Sequence, residues 1–307
     1  MPMSSECNLC PRKCNINREI KRGYCNSSNT VSLSRAALHM WEEPCISGAN
    51  GSGAIFFAGC NLRCIFCQNH EISFENHGLE VTIDRLSQIM TELQNQGANN
   101  INLVTPTHYA KQIAQAVYKA KDMGLHIPIL YNTSGYESVD TLRLLDGLID
   151  IYLPDHKYIS PELSYAFSNA ADYHEIADAA LKEMVRQTGP AEFDCAGIMQ
   201  RGVIVRHLVL PGHTKDSREV IKYLYETFKN EIYISIMSQY TPIARNLAGY
   251  AEKYPELMRT VTKREYEKVV NYAIELGIEK AFVQDGGTQK ESFIPAFDYE
   301  GVINYEE

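Results

Sequence analysis

The 307-residue chain contains no run of 18 apolar residues, the length a helix needs to cross a bilayer, so no helical membrane span is expected. Its start, Met1-Pro2-Met3-Ser4-Ser5-Glu6, lacks the apolar run of a secretory signal, and a cytoplasmic location is the expectation. Positive charge is in deficit: 29 Lys and Arg against 38 Asp and Glu leave −9 at pH 7. That balance argues against a protein built to neutralise nucleic-acid phosphates. Low-complexity stretches are absent, and tryptophan occurs once, at Trp41. What remains, 45% hydrophobic and 22% charged, is the composition of a globular protein with a core.

Cysteine is the residue in excess, with nine in the chain. A reducing compartment disfavours disulfides, so clustered cysteines there point to metal. Four lie at Cys7, Cys10, Cys14 and Cys25 and three at Cys60, Cys64 and Cys67, while Cys45 and Cys195 stand alone and read as ordinary thiols. Two clusters imply two metal centres.

Residues 1–50 show little helix or strand periodicity and read as a Cys-rich metal-binding module. From there to 285 the pattern alternates. Short apolar runs (54–58, 101–104, 128–131, 148–153, 202–210, 231–237) are followed by amphipathic stretches, with a last short run at 280–283. The stretch 82–96 puts Leu86, Ile89, Met90 and Leu93 on one helical face, with Gly97 after its end. Repeated strand–helix units predict a parallel sheet with right-handed crossovers. Six strands and a short seventh are too few for an eight-stranded barrel, so the expected fold is α/β, a partial (β/α)6 barrel. Residues 286–307 read as a C-terminal extension. Functional residues should sit at the C-terminal ends of the strands.

The segment Gly59-Cys60-Asn61-Leu62-Arg63-Cys64-Ile65-Phe66-Cys67 follows the first of these strands directly. Its Cys-x3-Cys-x2-Cys spacing places three thiols on one loop. Three thiolates can hold three irons of a 4Fe–4S cubane and leave the fourth open, and an open coordination position marks a catalytic centre. A structural zinc site would need a fourth ligand, for which His70 is the nearest candidate.

This loop, with an aromatic residue (Phe66) before its last cysteine, resembles the hallmark of the radical S-adenosylmethionine superfamily, and the resemblance runs over roughly residues 50–285. It implies that the open iron binds the amino and carboxylate groups of S-adenosylmethionine. It further implies that a low-potential electron, from a flavodoxin or ferredoxin, cleaves the sulfonium to a 5′-deoxyadenosyl radical that takes a hydrogen atom from a substrate. Most of that superfamily has a Gly-Gly-Glu stretch after the second strand; here Thr105, Thr107 and His108 stand in its place as candidate contacts to the cofactor ammonium. Asn132, Thr133 and Ser134, before Gly135, end the third strand and suit the ribose hydroxyls. Asp155 and Lys157 end the fourth and resemble the Asp-x-Lys of glycyl radical enzyme activases, a buried ion pair being the alternative. Arg206 and His207 lie within an apolar strand, where a charge needs a partner, either the cofactor carboxylate or Asp155. Gln239, in Ser238-Gln239-Tyr240 at the end of the sixth strand, and Gln284-Asp285-Gly286 at the end of the last are candidate contacts to the adenine or the substrate.

More narrowly, Cys7-Asn8-Leu9-Cys10-Pro11-Arg12-Lys13-Cys14, Thr105-Pro106-Thr107-His108, Tyr131 to Tyr136 and Arg206 to Gly212 are similar to the pyruvate formate-lyase activating enzyme-like family. The substrate classes this leaves are a protein glycyl residue, as for an activase, or a peptide or small molecule. The rival class is a non-catalytic iron–sulfur carrier or zinc-binding module. The four N-terminal cysteines form a complete ligand set for zinc and equally for an auxiliary 4Fe–4S cluster.

Overall fold

A computed structural model describes residues 6–284 and 295–303. Ten strands among them form one sheet: β1 (Val31–His39), β2 (Ser52–Phe57), β3 (Leu79–Val81), β4 (Ile101–Val104), β5 (Ile129–Thr133), β6 (Ile151–Pro154), β7 (Glu192–Phe193), β8 (Met199–Leu208), β9 (Tyr233–Met237) and β10 (Ala281–Val283). The order is β10-β9-β8-β6-β5-β4-β2-β1-β3, with β7 on the flank of β8. Seven strands, β2, β4, β5, β6, β8, β9 and β10, run parallel to one another, which is the six-plus-one set the apolar runs predict. β3 and β10 end the order without pairing to each other, so the barrel stays open.

The crossovers follow the amphipathic stretches. Helix Ile83–Asn95 begins where Thr82 accepts a hydrogen bond from the Arg85 amide at 3.1 Å, satisfying one of the amides a helix start leaves free. Its Leu86, Ile89, Met90 and Leu93 are all buried, and it joins the main core with helix Ala110–Asp122. A 15-residue helix, Thr214–Phe228, buries Val220, Ile221 and Leu224 in the same way.

Two departures from the sequence reading bear on the site. The stretch read as lacking periodicity contains β1, which pairs antiparallel with both β2 and β3. Its alternation, Val31-x-Leu33, changes phase at a register shift between Leu33 and Arg35 and resumes at Ala36-x-Leu38; a bulge of this kind breaks the period-2 signal. Helix Pro161–Ser168 was also not anticipated, although Ser160 caps it and Pro161 occupies its first position, a start signal legible in principle. Asp285 and Gly286 lie outside the described residues.

Candidate active site

The first parallel strand, β2, is buried along its whole length and delivers the three-cysteine loop to the C-terminal edge of the sheet. The loop is pinned on both sides. Ile65 N donates to Phe167 O at 2.9 Å, and Asn246 Nδ2 donates to Cys67 O at 3.0 Å. Each sulfur has a polar neighbour: Ser168 Oγ lies 3.0 Å from Cys64 Sγ, Ser73 Oγ 3.3 Å from Cys67 Sγ, and the Leu62 amide donates to Cys60 Sγ at 3.4 Å. Burial raises all three thiols, Cys67 to about 11, and each of Cys60 and Cys67 also feels the charge of Cys64; Lys157 pulls Cys64 down. Three half-buried thiols that resist ionising together on one loop are a donor set that a cation can recruit by replacing protons.

All three cysteines line one cavity of about 260 Å³. Its wall also contains Phe66, Thr105, Asn132, Thr133, Ser134, Asp155, Lys157, Arg206 and Gln239, nine of the twelve cofactor contacts anticipated from sequence. A charge network crosses it. Lys157 Nζ donates to Asp155 Oδ2 at 2.6 Å, Arg206 Nε to Asp155 Oδ1 at 3.2 Å, Arg206 Nη1 to Glu42 Oε2 at 3.2 Å and Arg206 Nη2 to Asn132 Oδ1 at 2.5 Å. Burial raises the Asp155 carboxyl, but Lys157 and Arg206 outweigh it and hold the group below its ordinary value. Thr105 has φ +59°, an outlier for a β-branched residue at the point where β4 enters the cavity.

The other three anticipated contacts are turned elsewhere. Thr107 Oγ1 donates to Glu137 Oε1 at 2.5 Å. His108 Nε2 bonds Ala58 O at 2.8 Å. His207 Nδ1 bonds His156 O at 2.8 Å. The reason is strand geometry: side chains alternate across the sheet, so Arg206 faces the cavity and its neighbour His207 does not. For Thr107 and His108, the chain enters a 3-10 turn at Thr107–Tyr109 that folds both inward. Cys195 is exposed and is not in the cavity wall.

Sequence reasoning passed over Glu42. Its Oε1 accepts from Asn102 at 2.9 Å and Asn132 at 3.3 Å, and its Oε2 takes Arg206. The partners lie 60 to 164 positions away, and no local pattern signals such a contact. Ser168 was missed with its helix.

The Radical SAM superfamily profile matches residues 54–224, more than half of the chain. The chain belongs to the radical SAM superfamily. Membership implies an enzyme of radical chemistry that uses a 4Fe–4S cluster, S-adenosylmethionine and a reductant. The chain is 28% identical over 277 residues to an uncharacterized protein of Methanocaldococcus jannaschii, a match covering 87% of this chain and 74% of that one. Among solved structures, a radical SAM methyltransferase from Sphaerobacter thermophilus aligns with a TM-score of 0.51 at 13% identity, over 77% of this chain and 67% of its own. HydG, a maturase of the FeFe hydrogenase, aligns at 0.50 and 14%, over 78% of this chain and 54% of its own. At such identities the likeness concerns the fold.

The residues present suit the cofactor pair this superfamily implies. Three soft, half-buried thiols share one loop, serine hydroxyls stand beside two of the sulfurs, and the cavity they line carries both charge signs. As their side chains are placed, no group of three or more His, Cys, Asp or Glu among the described residues could hold a metal ion, so the fit to a cluster lies in the donor chemistry of the loop and its spacing. No helix among the described residues is long and apolar enough to cross a membrane.

Proposed function

We propose that Cys60, Cys64 and Cys67 hold three irons of the cluster and that the cavity beside them binds S-adenosylmethionine, making this a radical enzyme that removes a hydrogen atom from a peptide, protein or small-molecule substrate. The observation that carries the reading is that the three thiols of one loop and the Glu42–Arg206–Asp155–Lys157 network line the same cavity. When bound, the cluster and S-adenosylmethionine supply one-electron cleavage of the sulfonium and a deoxyadenosyl radical.

The chain's own side chains provide the rest. Ser168 and Ser73 hydroxyls stabilise thiolate sulfur. Arg206 and Lys157 offer cations for a carboxylate, and Asp155 and Glu42 keep them oriented. Asn132, Thr133 and Ser134 present small polar groups at the end of β5 for sugar hydroxyls. A low-potential flavodoxin or ferredoxin in the cytoplasm is the reductant this chemistry calls for.

Among substrates, a small molecule or short peptide is favoured over the glycyl residue of an activase partner. Pro295 stands in the cavity wall, and the segment after it is tied to β2 and β1: Phe297 packs edge-on against Phe56 of β2 at 5.6 Å, Ala36 N of β1 donates to Glu300 O at 2.8 Å, and Arg35 of β1 bonds Asp298 at 2.7 Å. A partner protein's loop would have to pass this strap. The non-catalytic carrier or zinc-module reading has no use for a cavity of paired charges beside the thiols.

The test is anaerobic reconstitution with iron and sulfide, reduction with dithionite, addition of S-adenosylmethionine and chromatography for 5′-deoxyadenosine. Wild type should produce it, and Cys64→Ala should lose it by at least about a hundredfold, in the range that follows loss of an essential catalytic group. A wild type with an intact, reducible cluster that makes none rejects the proposal.

A further inference from the structure

None of the four N-terminal cysteines lines the cavity. They lie against the three-cysteine loop as neighbours in pairs, though as placed no three of them form a group that could hold a metal ion. Cys10 feels the charges of Cys25 and Cys7. A Cβ built on Gly23 would lie 3.4 Å from Cys14 Sγ and 3.7 Å from Cys25 Sγ. Cys10 and Cys25 are buried, while Cys7 opens to a separate cavity of about 570 Å³ on the outer side.

The same residues that present these thiols also hold the loop. Cys60 N donates to Cys25 O at 3.3 Å. Tyr24 N donates to Cys14 Sγ at 3.3 Å, while Tyr24 O accepts from Arg63 Nη2 at 2.6 Å. Arg12, between Cys10 and Cys14, donates to Asn61 O at 2.8 Å and to Asn169 O at 2.7 Å. The Arg12 and Arg63 guanidinium groups also lie over the Tyr24 ring, at 4.2 Å and 5.0 Å from its centroid. Gly59 makes the contact close: its φ is +88°, and a Cβ there would come within 2.5 Å of Cys25 O. Tyr24 and Cys25 thus belong to both sets. Their amide and thiol face the N-terminal cysteines, and their carbonyls face the loop.

A short segment that carries four neighbouring thiols gains order when a metal draws them together. Order imposed on Cys14 and Cys25 fixes the Tyr24 and Cys25 carbonyls, and through them Arg63 and Cys60. We propose that Cys7, Cys10, Cys14 and Cys25 bind a thiophilic metal centre, zinc or a 4Fe–4S cluster, and that this centre braces the Cys60–Cys64–Cys67 loop, so that each centre strengthens the other. Coupling of this kind is reciprocal by linkage. The proposal rests on the reading of that loop as cluster-binding.

The experiment measures iron, zinc and sulfide per chain in the reconstituted full-length protein and the rate at which iron passes to a chelator, followed by the cluster's absorbance. Cys64→Ala should keep the N-terminal metal, and its elemental content then separates zinc from iron. Cys14→Ala should lose that metal, and its remaining loop iron should leave at least about fivefold faster than in wild type, the low end of ordinary coupling. Arg12→Gln leaves all seven thiols in place; it should begin with both centres and shed loop iron faster. The coupling is overturned if wild type carries no metal beyond that of Cys14→Ala, or if loop iron leaves both Cys14→Ala and Arg12→Gln at the wild-type rate. A Cys64→Ala protein with wild-type iron and sulfide instead sinks the cluster reading, and the coupling with it, while leaving the N-terminal site standing.

Discussion

On the cavity side of the strand ends, charges stand in pairs: Arg206 with Asp155 and Glu42, Lys157 with Asp155. On the far side of the same ends, burial pushes titratable groups toward their neutral forms. Burial lowers His108 to about 3, His156 to about 3 and His207 to about 4, and it raises the Glu137 carboxyl to about 7 against hydrogen bonds from Thr107 and Thr133. His207 Nε2 and His108 Nδ1 are buried there without a hydrogen-bond partner. The two faces are one residue apart in sequence at Arg206 and His207. The physical difference is what each face must do. A face proposed to receive a charged ligand keeps its own ions compensated and oriented, whereas on the packed face burial disfavours the charged form of His108, His156, His207 and Glu137, and the cation beside His108, Arg18, donates to backbone carbonyls.

The sharpest way to break this contrast is to remove the cation shared by the cavity face. Arg206→Met leaves Glu42 with no cation and Asp155 with Lys157 alone, and removing one partner of a buried pair typically costs about 3–5 kcal/mol. The denaturant midpoint should fall accordingly, and S-adenosylmethionine affinity with it. Arg206→Lys should recover part of the stability but not the bonds to both carboxylates, because one ammonium cannot reproduce a planar fork. A stable Arg206→Met protein would show that the cavity face is not compensated in the way described.

The far face is tested through pH. Folded Glu137 keeps its proton up to about 7, whereas its ordinary value is 4.5. Between these values the native state binds more protons than the unfolded one, so stability falls as pH rises through this window and levels off above it. The full swing is roughly 3 kcal/mol at 1.36 kcal/mol per unit. Glu137→Gln keeps an oxygen for Thr107 and Thr133 and cannot ionise, so its urea midpoint should change less than that of wild type between pH 5 and pH 8. Equal slopes in the two proteins would remove Glu137 as the cause.

The architecture was legible because parallel, doubly covered strands read as continuous apolar runs, and each run from 54–58 to 280–283 found its strand. The three-cysteine loop was legible because its chemistry is local, one loop after one strand. Strand ends were legible only as segments. Sequence placed Thr105, Thr107 and His108 together, and a 3-10 turn then separated the first from the other two. Alternation should have separated Arg206 from His207, but a pair of polar residues in an apolar strand gives no sign of which face is the open one. Glu42 was invisible because its value lies entirely in contacts with Asn102, Asn132 and Arg206, and β1, which precedes it, was hidden by a bulge.

The smallest effect concerns Thr105, where the cavity face meets backbone strain. A β-branched residue at φ +59° costs on the order of 1 kcal/mol or more, and asparagine tolerates that region far better. Thr105→Asn should therefore raise stability by about 1 kcal/mol. If the strain is retained to aim the hydroxyl at the cofactor, the same change should weaken S-adenosylmethionine binding several-fold, read by calorimetry on the reconstituted protein. A gain in stability with unchanged affinity would make the strained turn a by-product of folding Thr107 and His108 to the far face. No gain in stability would mean that the Asn132 carbonyl, which accepts from the Thr105 amide at 2.9 Å, and the turn after it set this backbone whatever side chain it carries.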